Sequence, residues 1–325
     1  MKAFIIITII LITFGCRDKE VVKEEIAPYF PLTEQRIALA VKQKVTPVRI
    51  LDSMQIVNDL QYLASDICEG RKPGTAGHAN SVEMILNSMR KAGLDSFNNS
   101  LLQTFTGKSI NGSTAGKNIA GWIKGTTFPQ KYIVLTAHYD HLGKSTNGDT
   151  FYGADDNASG VACLLALAKY FKQHPHPYTL IFAAFDREET GLEGAYNFVQ
   201  QYRQAGTITN IKFNLNLDMI ARSDNNEIFA CGIKHYPSFK YVVDEVQNKI
   251  NVQLLMGHDD SGQGGNWTNQ SDHSAFHERG IPFLYIGVED HKDYHTTNDK
   301  ATNINYSRYL ENCNMIALMV QIVNP

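Results

Sequence analysis

Apolar residues recur along this chain with two different periods. Between residues 52 and 94, Ile56, Leu60 and Leu63, then Val82, Ile85, Leu86 and Met89, fall three or four apart, and Gly93 closes the second run. That spacing predicts two amphipathic helices. Beyond residue 130 the pattern shifts to short, nearly unbroken apolar runs: "YIVLTA" (132–137), "TLIFAAF" (179–185), "FNLNL" (213–217) and "PFLYIGV" (282–288). Between them, "VACLLALAKYF" (161–171), "GAYNFVQQYRQ" (194–204) and "KYVVDEVQNKI" (240–250) keep helical spacing. Strands apolar on both faces that alternate with helices predict an α/β fold, a mostly parallel central sheet flanked by helices on both faces. The alternating segment "NIAGWIKG" (118–125), which carries Trp122, predicts a further strand.

The start of the chain follows neither period. "MKAFIIITIILITFGC" sets one lysine before an apolar stretch that ends at Gly15-Cys16. The stretch is shorter than the ~20 residues of a membrane span and suits the core of a signal peptide. Its ending resembles a bacterial lipoprotein signal, in which the cysteine becomes the lipidated first residue of the mature chain. A plain cleaved signal or a short anchor is the alternative. The expected organisation is a signal peptide over residues 1–16 ending at Cys16, a tether over 17–50 and one working domain over 51–325. The tether is charged and broken by Pro28, Pro31 and Pro47, with "EQRIALAVKQ" as a short helix. This arrangement implies a protein outside the cytoplasm, in the periplasm or on the outer membrane, held to the membrane through a lipid on Cys16.

Composition adds little to this picture. The 325 residues are 43% hydrophobic and 19% charged with a formal net charge of −3, ordinary for a globular chain. Without a basic cluster there is no support for nucleic-acid binding. Cys68, Cys163, Cys231 and Cys313 are too widely spaced for a zinc finger. Cys163, inside an apolar helical run, reads as a buried small hydrophobe, and no disulfide is assigned.

The candidate chemistry lies where the buried runs stop. "YIVLTA" leads into His138-Tyr139-Asp140, "TLIFAAF" into Asp186-Arg187-Glu188-Glu189, "FNLNL" into Asp218, and "PFLYIGV" through "EDHK" into Asp293-Tyr294-His295. Asp155 and Asp156 sit in the loop after the first of these strands, just ahead of an apolar helix, where Asp155, Asp156 or Asn157 could also cap that helix. In open α/β sheets, ligands bind beyond the carboxyl ends of the strands. Clustered carboxylates there either raise their pKa values or gather around a cation. Histidine mixed with carboxylates and no thiolate favours zinc or a similar first-row ion over calcium. The number of donors exceeds the three protein ligands of one catalytic zinc and suggests two ions sharing a carboxylate.

"AHYDHLG" (137–143), "GADDNASGVA" (153–162), "FAAFDREETGLEGA" (182–195), "NLDMI" (216–220) and "DYHTTND" (293–299) occur in the order and rough spacing of the co-catalytic zinc aminopeptidases, metallopeptidase family 28 of clan MH. "SDHSAF" (271–276) and "EGRKPGTAG" (69–77) also resemble bacterial members of that family, and the likeness spans about residues 55–305. The resemblance implies a three-layer α/β/α sandwich of the zinc-aminopeptidase type and two zinc ions, with cobalt or manganese as alternatives. His138 and Asp218 would bind one ion, Glu189 and His295 the other, and Asp155 would bridge them. Asp140 would orient a ligand histidine, Glu188 would act as general base, and Tyr294 would help stabilise the oxyanion. Asp156 would then secure the loop or cap the helix. A water between two zinc ions loses its proton near neutral pH, and Glu188 can accept that proton and pass it to the leaving amine.

The expected activity is therefore removal of N-terminal residues from peptides with a free N-terminus. Rival readings are a glutaminyl cyclase or a carboxypeptidase on the same scaffold, and a non-catalytic binding lipoprotein. Other polar residues receive blander readings. Asp299 either orients His295 or belongs to a polar turn; Asp272 and His273 line the cleft; Arg71 is structural. His141 is set aside because adjacent residues at a strand end tend to point to different sides. "HPHP" (174–177) reads as a connecting loop, and "HDDSGQGGN" (258–266) as a mobile loop near the cleft.

Overall fold

The apolar runs form the strands and helices expected of them, arranged about one mixed sheet. A computed structural model describes residues 31–325 apart from 41, 43, 110, 111, 263 and 264. The expected signal peptide and residues 17–30 of the tether lie outside the described residues. In chain order the elements begin with α1 (Leu32–Ala40), α2 (Ser53–Leu63), α3 (Ala76–Lys91), β1 (Asp95–Ser96), β2 (Leu102–Ser109), β3 (Gly112–Ile123) and β4 (Phe128–His138). They continue with α4 (Gly160–Gln173), β5 (Tyr178–Phe185), α5 (Glu193–Gln204), β6 (Ile211–Leu217), β7 (Glu227–Cys231) and α6 (Lys240–Gln247). The last four are β8 (Gln253–Met256), α7 (His273–His277), β9 (Phe283–Gly287) and α8 (Tyr306–Ile322).

The sheet order is β1-β3-β5-β4-β6-β9-β7-β8, with β2 paired to β3. Four neighbouring strands, β5, β4, β6 and β9, run parallel at its centre, whereas β3 joins β5 and β7 joins β9 antiparallel. The antiparallel flanks qualify the expected mostly parallel sheet without changing its class. Alternate residues of β4 and β5 enter different cores, as period-two geometry requires. Ile133, Leu135, Leu180 and Phe182 join the cluster shared with α2, α3, α4 and α8. Val134, Ile181 and Phe185 instead join Phe198 of α5 and Phe276 of α7.

The chain leaves β4 through α4 to β5 on one side, then through α5 to β6 on the other, so the direction of winding reverses at β4. Such a reversal opens a crevice at the carboxyl ends of the strands. Residues 31–50, read as tether, carry α1 docked on the sheet edge. The Gln35 side chain donates to Met256 O at 2.9 Å and accepts from Met256 N at 2.8 Å, and Arg36 forms a two-pronged ion pair with Glu227. None of the helices among the described residues is long and apolar enough to cross a membrane.

Candidate metal centre

His138 ends β4, Glu188 and Glu189 follow β5, Asp218 follows β6, and His295 lies on the loop after β9. Several backbone positions here are left-handed although not glycine: Arg187 (φ 62°), Met219 (φ 55°) and His295 (φ 53°). Such conformations cost energy and persist where the surroundings over-determine them. They turn the chain sharply beside Glu188, Asp218 and His295, which brings these side chains back over the sheet edge.

Asp156 is the centre of the resulting cluster. Its Oδ1 lies 3.3 Å from His138 Nε2 and its Oδ2 lies 3.1 Å from His295 Nε2. His138 Nε2 also stands 3.2 Å from Asp218 Oδ1, and His295 Nε2 stands 3.4 Å from Glu189 Oε2. Two imidazole–carboxylate groups thus meet at one carboxylate. Asp156 Oδ2 is buried and has no hydrogen-bond partner among the described residues despite its nearby ring nitrogens. The approaches of Asp156 to His138 and His295 lack hydrogen-bond geometry, as donors sharing a common cation require, because their lone pairs aim at the ion and not at each other. The residues present therefore fit divalent metal.

Asp155, expected to bridge, does not reach this cluster. Its Oδ1 accepts from Ala221 N at 2.6 Å and from the Ser159 hydroxyl at 3.2 Å, and its Oδ2 lies 3.2 Å from His291 Nε2. Asp155 thus secures the loop, the part expected of Asp156, while Asp156 enters the cluster. The reason is local backbone geometry: Asp156 (φ −103°, ψ 95°) and Asn157 (φ −129°, ψ 45°) are not helical, so the loop keeps turning and α4 starts only at Gly160. Neither aspartate caps that helix. Asn157 does, its Oδ1 accepting from Gly160 N at 2.9 Å. Asp299 supports the same loop, accepting from the backbone N–H of Asp155 and Asp156 at 3.0 Å; it orients the loop rather than His295.

Asp140 lies against His138 but holds it through its backbone. His138 Nδ1 is 3.2 Å from Asp140 O and 3.8 Å from Asp140 Oδ1, while that carboxylate accepts from Glu188 N at 3.0 Å. Asp186 and Asp293, also at strand ends, pair elsewhere, with His78 at 3.0 Å and with Arg222 at 2.9 Å. Tyr294 packs on His295 with ring centroids 4.0 Å apart. Asp272 and His273 are fully buried, and His273 Nε2 faces Trp267 O at 2.9 Å. Of the glycine-rich stretch, His258 is fixed by stacking on Trp267 with centroids 3.5 Å apart. Cys68, Cys163, Cys231 and Cys313 are buried free thiols.

Charge follows this geometry. Burial, together with Asp218, Asp272 and Glu189, pushes the Glu188 carboxyl well above the usual range. Its carboxylate lies in one group with His138 and Asp218, their donor atoms all within 4.8 Å of one another. Burial works against it, but His141, His138 and His295 hold Asp156 well below the usual carboxylate range. The Asp156 and Glu189 carboxylates beside it raise His295 to about 10. Burial and the surrounding carboxylates raise the Tyr294 phenol, which stays protonated.

One fully buried residue frames the whole centre. Arg71 donates to five backbone carbonyls, those of Leu63, Tyr139, Tyr152, Gly153 and Asp156, at 2.7–3.1 Å. It joins the strand end bearing His138 to the loop bearing Asp156.

The sequence model described as "Peptidase family M28" matches residues 118–320, more than half of the chain. The chain belongs to peptidase family M28. Every cluster residue lies within that match. A "Probable zinc metalloprotease" of Pyrenophora tritici-repentis is 39% identical over 108 residues, 32% of this chain and 24% of that protein. The aminopeptidase YwaD of Bacillus subtilis is 30% identical over 202 residues, 59% of this chain and 41% of that protein. The chain thus spans less than half the length of these two relatives. Among solved structures, a glutaminyl cyclase of Porphyromonas gingivalis superposes with a TM-score of 0.69 at 20% identity, over 84% of this chain and 98% of that one. At that identity the likeness is one of fold.

Proposed function

We propose that this M28 chain is a metal-dependent peptidase, most simply an aminopeptidase that removes N-terminal residues from peptides with two zinc ions. The observation that carries the reading is the pair of imidazole–carboxylate groups meeting at Asp156. His138, Asp218 and Asp156 Oδ1 would hold one ion, and Asp156 Oδ2, Glu189 and His295 the other, so Asp156 takes the bridging role first expected of Asp155. Bound zinc would lower the pKa of water and polarise the scissile carbonyl. Glu188 would accept the proton of the attacking water and return it to the leaving amine. The Tyr294 hydroxyl would donate to the developing oxyanion. Asp140 would set the His138 ring through its carbonyl and the start of the Glu188 turn through its carboxylate.

Purified protein assayed for zinc per chain, with aminoacyl anilides and N-blocked controls, tests this reading. Two ions and hydrolysis confined to free N-termini support it. One ion with turnover of glutaminyl peptides to cyclic products would favour the glutaminyl cyclase reading instead. Activity on N-blocked substrates would remove the aminopeptidase assignment. Anchoring of the chain outside the cytoplasm through Cys16 is supported by its first sixteen residues, and Cys16→Ala should abolish incorporation of labelled fatty acid.

A further inference from the structure

His141 directly follows Asp140, yet its ring turns into the metal centre. Nδ1 lies 2.8 Å from Glu189 Oε1 and 3.5 Å from Asp156 Oδ2, and the side chain is fully enclosed. Three features hold it there. His141 N donates to Arg71 O at 3.3 Å, and the ring meets His295 edge-on with centroids 5.9 Å apart. Gly153 makes room for it, since a Cβ there would stand 2.5 Å from His141 Cδ2.

Two roles are open to such a ring. A histidine that ligates an ion through Nδ1 carries its proton on Nε2, but His141 Nε2 is buried with no partner among the described residues. A buried donor left unpaired costs about 1–3 kcal/mol. With the proton on Nδ1, that nitrogen donates to Glu189 and only a lone pair is left unpaired. Distance separates the roles as well. Two donors at the ~2.0–2.1 Å of a tetrahedral zinc stand about 3.3 Å apart, as the approaches of 3.1–3.4 Å around Asp156 and His295 do. The 2.8 Å between His141 and Glu189 is instead an ordinary hydrogen bond.

We infer that His141 is a positioning residue: it donates Nδ1–H to Glu189 Oε1 and so reserves Oε2 for the ion that Asp156 and His295 would share. The inference rests on the two-ion reading above. It explains why Glu189 presents different oxygens to its two histidines, Oε1 to His141 and Oε2 to His295. Without that hydrogen bond the carboxylate is free to rotate.

The test compares the wild type with His141→Ala, His141→Asn and His141→Leu, each titrated with zinc by calorimetry and with cobalt by visible absorption. An Asn amide places an N–H near the position of Nδ1; Leu fills the volume without a donor. Ala and Leu should weaken one of the two ions by roughly 10–100-fold, the usual effect of losing a residue that orients a ligand. Asn should stay within a few-fold of wild type and keep its cobalt spectrum. Should Ala fail to fold without metal, the contrast of Asn with Leu remains. Asn as weak as Leu, with a shifted cobalt spectrum, would overturn the inference in favour of direct ligation. Unchanged affinity in Leu would overturn it in favour of a spectator. If the wild type binds no second ion, the two-ion reading itself fails, which the same titration shows separately.

Discussion

Asp155 and Asp156 are adjacent, yet each faces a different histidine of the loop after β9: Asp155 Oδ2 lies 3.2 Å from His291 Nε2, and Asp156 Oδ2 lies 3.1 Å from His295 Nε2. One aspartate binds the loop to the protein, and the other opens toward the cluster. The two neutralising substitutions should therefore differ. Asp156→Asn is expected to reduce bound zinc below one ion per chain and abolish hydrolysis. Asp155→Asn should keep metal but lower stability by about 1.5–3 kcal/mol, the worth of hydrogen bonds to a charged group. Metal analysis and thermal melts of the pair check this.

Glu188 is grouped with His138 and Asp218, and its backbone N–H donates to Asp140. Glu188→Gln should retain wild-type zinc content and lose roughly 10²–10⁴-fold in kcat, the range for removal of a general base. Unchanged turnover would remove Glu188 from the reaction.

Arg71 offers a stability test away from the reacting groups. A lysine brings three N–H donors to five carbonyls, so Arg71→Lys leaves at least two of them unpaired. At about 1–3 kcal/mol for each buried group left unmet, the loss should reach several kcal/mol. Denaturant unfolding measures it, and zinc affinity should fall as well, because the clamped loop carries Asp156.

Metal itself should stabilise the fold, since its donors come together only in the native chain. Free zinc at 100 times its Kd should add about 2.7 kcal/mol per site. A chelator should lower the melting temperature, and zinc should restore it.

Asp59 gives a pH dependence independent of metal. Burial raises its carboxyl to about 6, and its Oδ2 has no partner among the described residues. The folded pKa lies above the unfolded 3.8, so the native chain favours the protonated form. Its contribution is greatest below pH ~4 and is lost as pH rises through about 6. Asp59→Asn should therefore stabilise the protein at pH 8 by roughly 1–2 kcal/mol, allowing for partial solvent exposure, and change little near pH 4. Melts at both pH values test the sign.

Where local pattern and tertiary structure coincide, the reading from residues alone carried through. The runs at 132–137, 179–185, 213–217 and 282–288 became β4, β5, β6 and β9, because strands buried on both faces must be apolar throughout. Strands β7 and β8 were not legible: each is only four or five residues long and is settled by pairing with distant segments. Helix α1 was legible in "EQRIALAVKQ", but its docking was not, since that depends on Met256 and Glu227, more than 190 residues away.

By itself, the order of residues determined that histidines and carboxylates gather at the strand ends, because apolar runs fix which ends point the same way. It did not determine which member of Asp155-Asp156 enters the cluster, or that His141 turns inward beside Glu189. Those choices rest on backbone dihedrals at Asp156 and Asn157, on the room left by Gly153 and on the carbonyls gathered by Arg71. They are tertiary because neighbouring residues share one local pattern, and only contacts from distant parts of the chain tell their side chains apart.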